Sequence, residues 1–299
     1  MVERVTAASE RLGYFPAAAA RSLQAGRTNQ LAFAVPDIAN PVYTEMMRSI
    51  EATTKVSGFR LLVHSTGSDA EDELDLLRSL RHRYVDGLVM TSLRLSSEHL
   101  EALRQAAVPV VVIGNVPDDF PIDSVRTSSR RGVRLAVDHL FTVGCKTIGF
   151  INGPADTGPG RARQEGYEES LQAFGKELDD SLVAVAEDFT HEAGFAATQR
   201  FLRDARPDGL LCANDMIALG ALRGLSEAGI RVPAEMRVIG LDNTALAAMS
   251  TPSLSSVSLG AAERGGIAAR LLLERLADTS REHRLFEVEP KLVIRESSR

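Results

Sequence analysis

The sequence predicts an α/β protein made of two doubly wound parallel-sheet lobes, and two observations carry that reading. From Leu31 onward, short runs rich in Val, Ile, Leu and Phe alternate with stretches of helical period, the pattern of a parallel sheet with crossover helices. The pattern then runs twice with matching landmarks: "YVDGLVM" at Tyr84–Met90 is echoed by "RPDGLLC" at Arg206–Cys212, and "VVIGN" at Val111–Asn115 by "RVIGLDN" at Arg237–Asn243.

In chain order, the first half offers the strands "LAFAVP", "RLLVHS", "DGLVMT" and "VPVVVIG". They are separated by helical stretches at Val42–Ser57, Ala70–Arg83 and Ser97–Ala107. The second half offers "KTIGFIN", "LVAVAED", "DGLLCA" and "RVIGLD", separated by Arg161–Phe174, Glu192–Asp204 and Met216–Ala228. Each Asp-Gly supplies a tight turn into a buried strand. The 299 residues suit about two domains. Ahead of the first strand lies a leader, "LGYFPAAAARSLQAGRTNQ", preceded by one short helical stretch.

Composition excludes several classes. The chain is 44% hydrophobic and 25% charged, and its apolar runs are strand-sized, so no membrane partner is expected. No apolar segment follows Met1 as a secretory signal would require, so the expected location is the cytoplasm. Cys145 and Cys212 show no metal-ligand spacing and read as packing residues in a reducing compartment. The net charge of −6 is uneven: residues 1–29 hold four arginines against two glutamates. A polyanion would therefore meet the leader and not the acidic body.

Catalytic chemistry is not found. "GPADTGPGR" has the glycine separation of a phosphate loop, but Pro159 replaces the lysine and Gly160 the magnesium-binding hydroxyl. There is no G-x-S-x-G elbow. The six histidines show no i, i+4 pair and read as surface or capping residues, and the Asp118–Asp119 and Asp179–Asp180 pairs read as solvated loop acids. Neither a metal nor a cofactor is implied, and the chain is not expected to be an enzyme.

In doubly wound sheets, ligands bind beyond the carboxyl ends of the strands, and a cleft between two lobes is a common small-molecule site. The segments at those ends are "DIANPVY", "NGPADTGPGRAR", "AND" and "DNT", rich in Asn, Asp and Arg, with Tyr43 available to stack. Such groups suit a polyhydroxylated or heterocyclic ligand. For Arg163, Asn214 and Asp242 the ligand reading is preferred, whereas Asp215 reads as a cap.

Taken together, "LGYFP....ARSL...RT", "PDIANPVY", "VDGLV", "HLFTVGCKTIGFINGP", "R.R..GY", "ANDMIALGAL", "VIGLDN" and "PSLSSV" span almost the whole chain, and with them it resembles the LacI-type transcriptional regulators. The resemblance implies a sensor body like the type I periplasmic binding proteins, with a small polar effector, sugar-like or nucleobase-like, between the lobes. The matching effector-binding positions are Asn40, Tyr43, Arg163, Phe189, Asn214 and Asp242. It further implies lobe one from residues 30–126 with 260–289 and lobe two from 127–259 with 290–299, with crossings near Thr127, Leu259 and Pro290.

Two departures stand out: Gly114 followed by Asn115 where many sugar-binding members carry an acid or other polar group, and Leu259 where the lactose-type pocket uses an amide. Fewer hydrogen-bonding groups are thus expected there. The partners implied are a second copy of the chain in an isologous homodimer and operator DNA. Residues 1–29 match the last part of a helix-turn-helix headpiece and a hinge helix. In that hinge, Ala20, Arg21, Leu23 and Gln24 would enter the minor groove, with Leu23 as the wedge. The first two headpiece helices have no counterpart, so specific operator binding is expected only of a longer, full-length protein. A stand-alone cytoplasmic solute-binding module is the other reading, and "ARSL" argues against it.

Overall fold

The computed structural model of the protein describes Arg11 and residues 26–299. The hinge positions Ala20, Arg21, Leu23 and Gln24 lie outside the described residues.

Each lobe is built on a six-stranded sheet. The first contains β1 (Gln30–Val35), β2 (Arg60–Ser65), β3 (Gly87–Met90), β4 (Val110–Ile113), β5 (Asp123–Thr127) and β11 (Leu285–Val288), in the order β11-β5-β4-β3-β1-β2 with every pairing parallel. The second contains β6 (Ile148–Asn152), β7 (Val183–Val185), β8 (Gly209–Cys212), β9 (Arg237–Leu241), β10 (Ser255–Ser258) and β12 (Lys291–Val293), in the order β12-β10-β9-β8-β6-β7. Only its β10–β12 pair is antiparallel. The same order, second strand outermost and then first, third, fourth and fifth, recurs in both. The register recurs too: Phe33 lies opposite Val63 and Val89, and Phe150 opposite Val183 and Leu211.

The paired Asp-Gly turns do more than turn the chain. The Asp86 carboxylate accepts from the Thr28 N–H (2.7 Å), the Thr28 hydroxyl (2.9 Å) and the Asn29 N–H (2.7 Å), pinning the entry to β1. Asp208 accepts from the Lys146 N–H (2.8 Å) and the Thr147 N–H (2.8 Å), pinning the entry to β6. Charge-assisted bonds of this kind are about twice as strong as neutral ones, so each carboxylate locks its glycine strand beside the lobe's first strand.

Helices α1 (Pro41–Lys55), α2 (Ala70–Ser79), α3 (Ser97–Arg104), α4 (Ser129–Thr142), α5 (Gly158–Ala173), α6 (His191–Asp204), α7 (Asp215–Glu227), α8 (Ala245–Met249) and α9 (Ala261–Ala277) connect and cover the sheets among residues 26–299. Seven start on a side chain that accepts an orphan N–H: Asn40, Asp69, Ser96, Ser128, Thr157, Thr190 and Asn214. Several of these caps follow directly on strand ends, so capping chemistry and site chemistry share the same loops.

The structure corrects the sequence reading in two places. The fifth strands β5 and β10 were not expected, because "DSVRT" and "SSVS" lack an apolar run; both are nonetheless mostly buried. Helix α4 was not expected either, although Val133, Ala136, Val137 and Leu140 form its buried stripe. The strand β2 is an exposed edge, with Leu62 and Val63 on the surface. His99 takes a capping role, one of the two expected of the histidines, and does so from a buried position: it closes a capping box with Ser96 and lies 3.4 Å from Glu73. Cys145 and Cys212 are buried and free, packed in the second lobe.

The chain passes to the second sheet after β5, returns between β10 and α9, and passes again between β11 and β12. Helix α9 covers the first sheet and packs along α1. A Cβ at Gly265 would lie 2.6 Å from the Met46 carbonyl oxygen, so the two backbones meet here only because residue 265 has no side chain.

Candidate functional site

A cavity of about 400 Å³ opens between the lobes at the carboxyl ends of both sheets. All six residues singled out from the sequence line it. Asn40 and Tyr43 come from the start of α1, Arg163 from α5, Phe189 from the loop before α6, Asn214 from the end of β8, and Asp242 from the end of β9.

Their local chemistry differs. Asn40 caps α1 through Oδ1, which accepts from the Val42 N–H at 3.1 Å. Asn214 is engaged at both ends of its amide: Oδ1 accepts from the Ile217 N–H (2.8 Å) and Nδ2 donates to the Phe189 carbonyl (3.0 Å). It therefore caps α7 and fixes the backbone that presents Phe189. The Phe189 ring rests against Gly153, where any Cβ would overlap it, and its face lies 5.5 Å from the Arg163 guanidinium carbon. Arg163 thus lines the cavity with its guanidinium over the Phe189 ring.

Asp242 has φ 102° and the next residue, Asn243, has φ 54°, two successive left-handed conformations in residues with a Cβ. Strain of this sort costs on the order of 1–3 kcal/mol per residue and persists only where the surroundings enforce it. Here the enforcement is visible: the Asp242 N–H donates to the Val257 carbonyl (2.8 Å), the Asn243 N–H to the Ser256 hydroxyl (2.9 Å), and Arg295 donates to Asn243 Oδ1 (2.7 Å). Asp215, expected as a cap, is the buried hub beneath. Its carboxylate is held by the Thr244 N–H (2.6 Å), the Thr244 hydroxyl (2.9 Å) and the Ser256 hydroxyl (2.5 Å). Burial, and next the Asp242 charge, push Asp215 up to about 7.

The residue missed from the sequence is Arg264, in the first turn of α9. It is 9% exposed and lines the cavity beside Tyr43 and Leu259. A signal existed: Arg264 falls on the stripe Ala261, Ala268, Leu272, and a cation on an apolar helix face calls for a partner. Its presence also revises the expected scarcity of hydrogen-bonding groups near Gly114, Asn115 and Leu259, since one guanidinium adds five donors. Burial lowers Arg264 to about 10, against the pull of Asp242 and Tyr43; burial likewise lowers Arg163 and raises Asp242. Tyr43 is raised by burial and then by Asp242. Among the described residues, no group of three His, Cys, Asp or Glu could hold a metal ion.

Two contacts bridge the lobes at the cavity mouth. Arg94, after β3, donates to Asp156 through Nε (2.7 Å) and through a terminal nitrogen (3.2 Å), and the Gly158 N–H donates to the Leu93 carbonyl (2.8 Å). The lobes are thus clasped at the N-terminus of α5, one turn from Arg163.

Residues 137–298 match the family model described as a periplasmic binding protein-like domain. Catabolite control protein A of Priestia megaterium is 30% identical over 299 residues, covering 99% of this chain and 90% of that protein. The chain belongs to the LacI-type transcriptional regulators. The HTH-type transcriptional repressor PurR of Aliivibrio fischeri (strain MJ11) is 32% identical, over 99% of this chain and 88% of that one. The solved complex of the transcriptional regulator CelR with cellobiose superimposes with a TM-score of 0.82 at 30% identity, covering 99% of this chain and 90% of that one. These LacI-type relatives are regulators and not enzymes. No helix among the described residues is long and apolar enough to cross a membrane.

Proposed function

We propose that this regulator senses a small polar metabolite in the cavity between its lobes, and that Asn40, Tyr43, Arg163, Phe189, Asn214 and Asp242 form the effector site. The observation that carries this is the pair of left-handed residues Asp242 and Asn243, held at the cavity wall by three hydrogen bonds, because strain enforced at a cleft marks a residue placed for a ligand. Tyr43 and Phe189 offer faces, Arg163 and Asp242 offer edges, and Asn214 acts by holding Phe189. The cellobiose of the CelR complex supports an effector of sugar-like size and polarity.

Effector contacts made from both lobes favour the clasped arrangement, with Arg94–Asp156 and Gly158–Leu93 closed. The leader is coupled to lobe one because Asp86 grips Thr28 and Asn29. In a cytoplasmic homodimer, a change in lobe angle would reset the spacing of two leaders whose Ala20, Arg21, Leu23 and Gln24 engage the minor groove of an operator. Such couplings typically amount to about 1–3 kcal/mol.

A thermal-shift screen with mono- and disaccharides, sugar acids, sugar phosphates and purines tests the site. An effector at a hundred times its Kd stabilises by about 2.7 kcal/mol, and Asp242→Ala should abolish that shift. A hit that shifts Asp242→Ala equally would refute the site.

A further inference from the structure

Arg163 and Arg264 enter the cavity from opposite lobes, one on α5 and the other on α9. Both are more than nine-tenths buried, at 6% and 9% exposure. Neither guanidinium makes a hydrogen bond or an ion pair within 4.0 Å among the described residues, and the buried Nε of each has no partner. This is unlike the other deeply buried arginine among the described residues, Arg275, which reaches Asp123 at 2.9 Å and the Thr279 and Glu282 carbonyls at 3.2 and 3.1 Å. The sequence can satisfy a buried arginine, and at 163 and 264 it does not.

The charges of the inner cavity do not balance. Against two guanidiniums stands one buried carboxylate, Asp242, whose own side chain has no hydrogen-bond donor among the described residues. The remaining charges on the lining, Asp37, Arg161, Glu165 and Asp188, lie at the partly or fully exposed rim, where water screens them. An unpaired buried charge is costly unless a ligand completes it. The planar fork of a guanidinium matches the oxygens of a carboxylate or phosphate, and both arginines line the cavity with an Nε that finds no protein partner.

We propose that the effector is an anion, a small polyhydroxylated metabolite bearing a carboxylate or phosphate group, and that Arg264 of lobe one and Arg163 of lobe two receive that group together while Asp242 accepts from its hydroxyls. This rests on the reading of the cavity as the effector site. An oxyanion held by one arginine from each lobe is a bridge between lobes, so the charged group, beyond adding affinity, drives closure. A neutral analogue of the same shape would leave both guanidiniums buried and unpaired.

The test uses the whole chain, with calorimetry and thermal shift on matched probes: inorganic phosphate and sulfate against chloride at equal ionic strength, then glucose against gluconate, glucuronate and glucose 6-phosphate, and ribose against ribose 5-phosphate. Phosphate or sulfate should stabilise the protein saturably, and at least one acid should bind about tenfold or more tighter than its neutral partner. The gluconate and phosphate arms separate the two sources of the oxyanion. Arg264→Leu should raise the midpoint of the unliganded protein, since it removes an uncompensated charge, and should erase the preference for acids. Absence of a saturable effect of both inorganic anions, a neutral sugar bound as tightly as its acid, or an Arg264→Leu variant that keeps the preference would overturn the proposal. In the second case, loss of the neutral sugar in Asp242→Ala would leave the effector-site reading standing. Acid binding unaffected by Asp242→Ala, Arg163→Leu and Arg264→Leu alike would remove both.

Discussion

The contact between α9 and α1 makes a sharp prediction, because, of two adjacent glycines, only one should be destabilised by a side chain. A Cβ at Gly265 would lie 2.6 Å from the Met46 carbonyl oxygen and 3.0 Å from its Cα, both backbone atoms that cannot rotate away. To reach ordinary contact the helices must part by about 0.8 Å along a face that buries Met46, Ile50, Ala268 and Leu272. Overpacking of this kind costs about 1–3 kcal/mol, and the better helix propensity of alanine returns at most about 1 kcal/mol. Gly265→Ala should therefore lower stability by about 1–2 kcal/mol. At Gly266 the nearest atom is the Ser49 hydroxyl oxygen at 3.0 Å, which rotates freely, so Gly266→Ala should be neutral or stabilising by up to about 1 kcal/mol. Urea-unfolding midpoints of the two variants and the wild type measure the difference. The same displacement would carry Arg264 away from Tyr43, so Gly265→Ala should also weaken whatever ligand the cavity binds. If Gly265→Ala is as stable as the wild type, the helices are not held at that distance by packing and the placement of Arg264 has another cause.

Three further outcomes follow from the described contacts. Asp123→Ala should destabilise by about 3–5 kcal/mol, since it strands Arg275 in the interior, while Asp123→Ala with Arg275→Leu should recover part of the loss; denaturant titration of both variants decides this. Asp208→Ala should cost about 1 kcal/mol and speed amide exchange selectively at Lys146 and Thr147, and exchange unchanged there would refute the pinning of β6 by Asp208. Asp215, pushed up to about 7 from an unfolded value of 3.8, keeps in the folded state a proton that the unfolded chain releases. Its contribution is thus fully present below about pH 4 and is lost as the pH rises towards 7. Asp215→Asn should flatten that fall, and an identical pH profile in the variant would refute the assignment.

Much of the site was legible because the loops after parallel strands carry both caps and ligands, so Asn40, Arg163, Asn214 and Asp242 stand out by position and type. The double Asp-Gly echo was legible for the same reason, and the structure gives it a cause in the two carboxylates that pin β1 and β6. What could not be read were the elements whose stability comes from neighbours. The strands "DSVRT" and "SSVS" have no hydrophobic signal of their own and exist because β4 and β9 template them.

The sequence by itself determined the two-lobe α/β plan, the repeated rhythm of strands and helices and the family, since apolar period, turn chemistry and spaced motifs are properties of neighbours along the chain. Only the tertiary structure decided which charges meet. Arg264 lies about a hundred residues from Arg163, on a helix whose apolar stripe belongs to the other lobe, and nothing local distinguishes it from Arg275 on the same stripe. One finds Asp123 and the other finds the cavity, because a buried charge is defined by what the fold brings within a few ångströms of it.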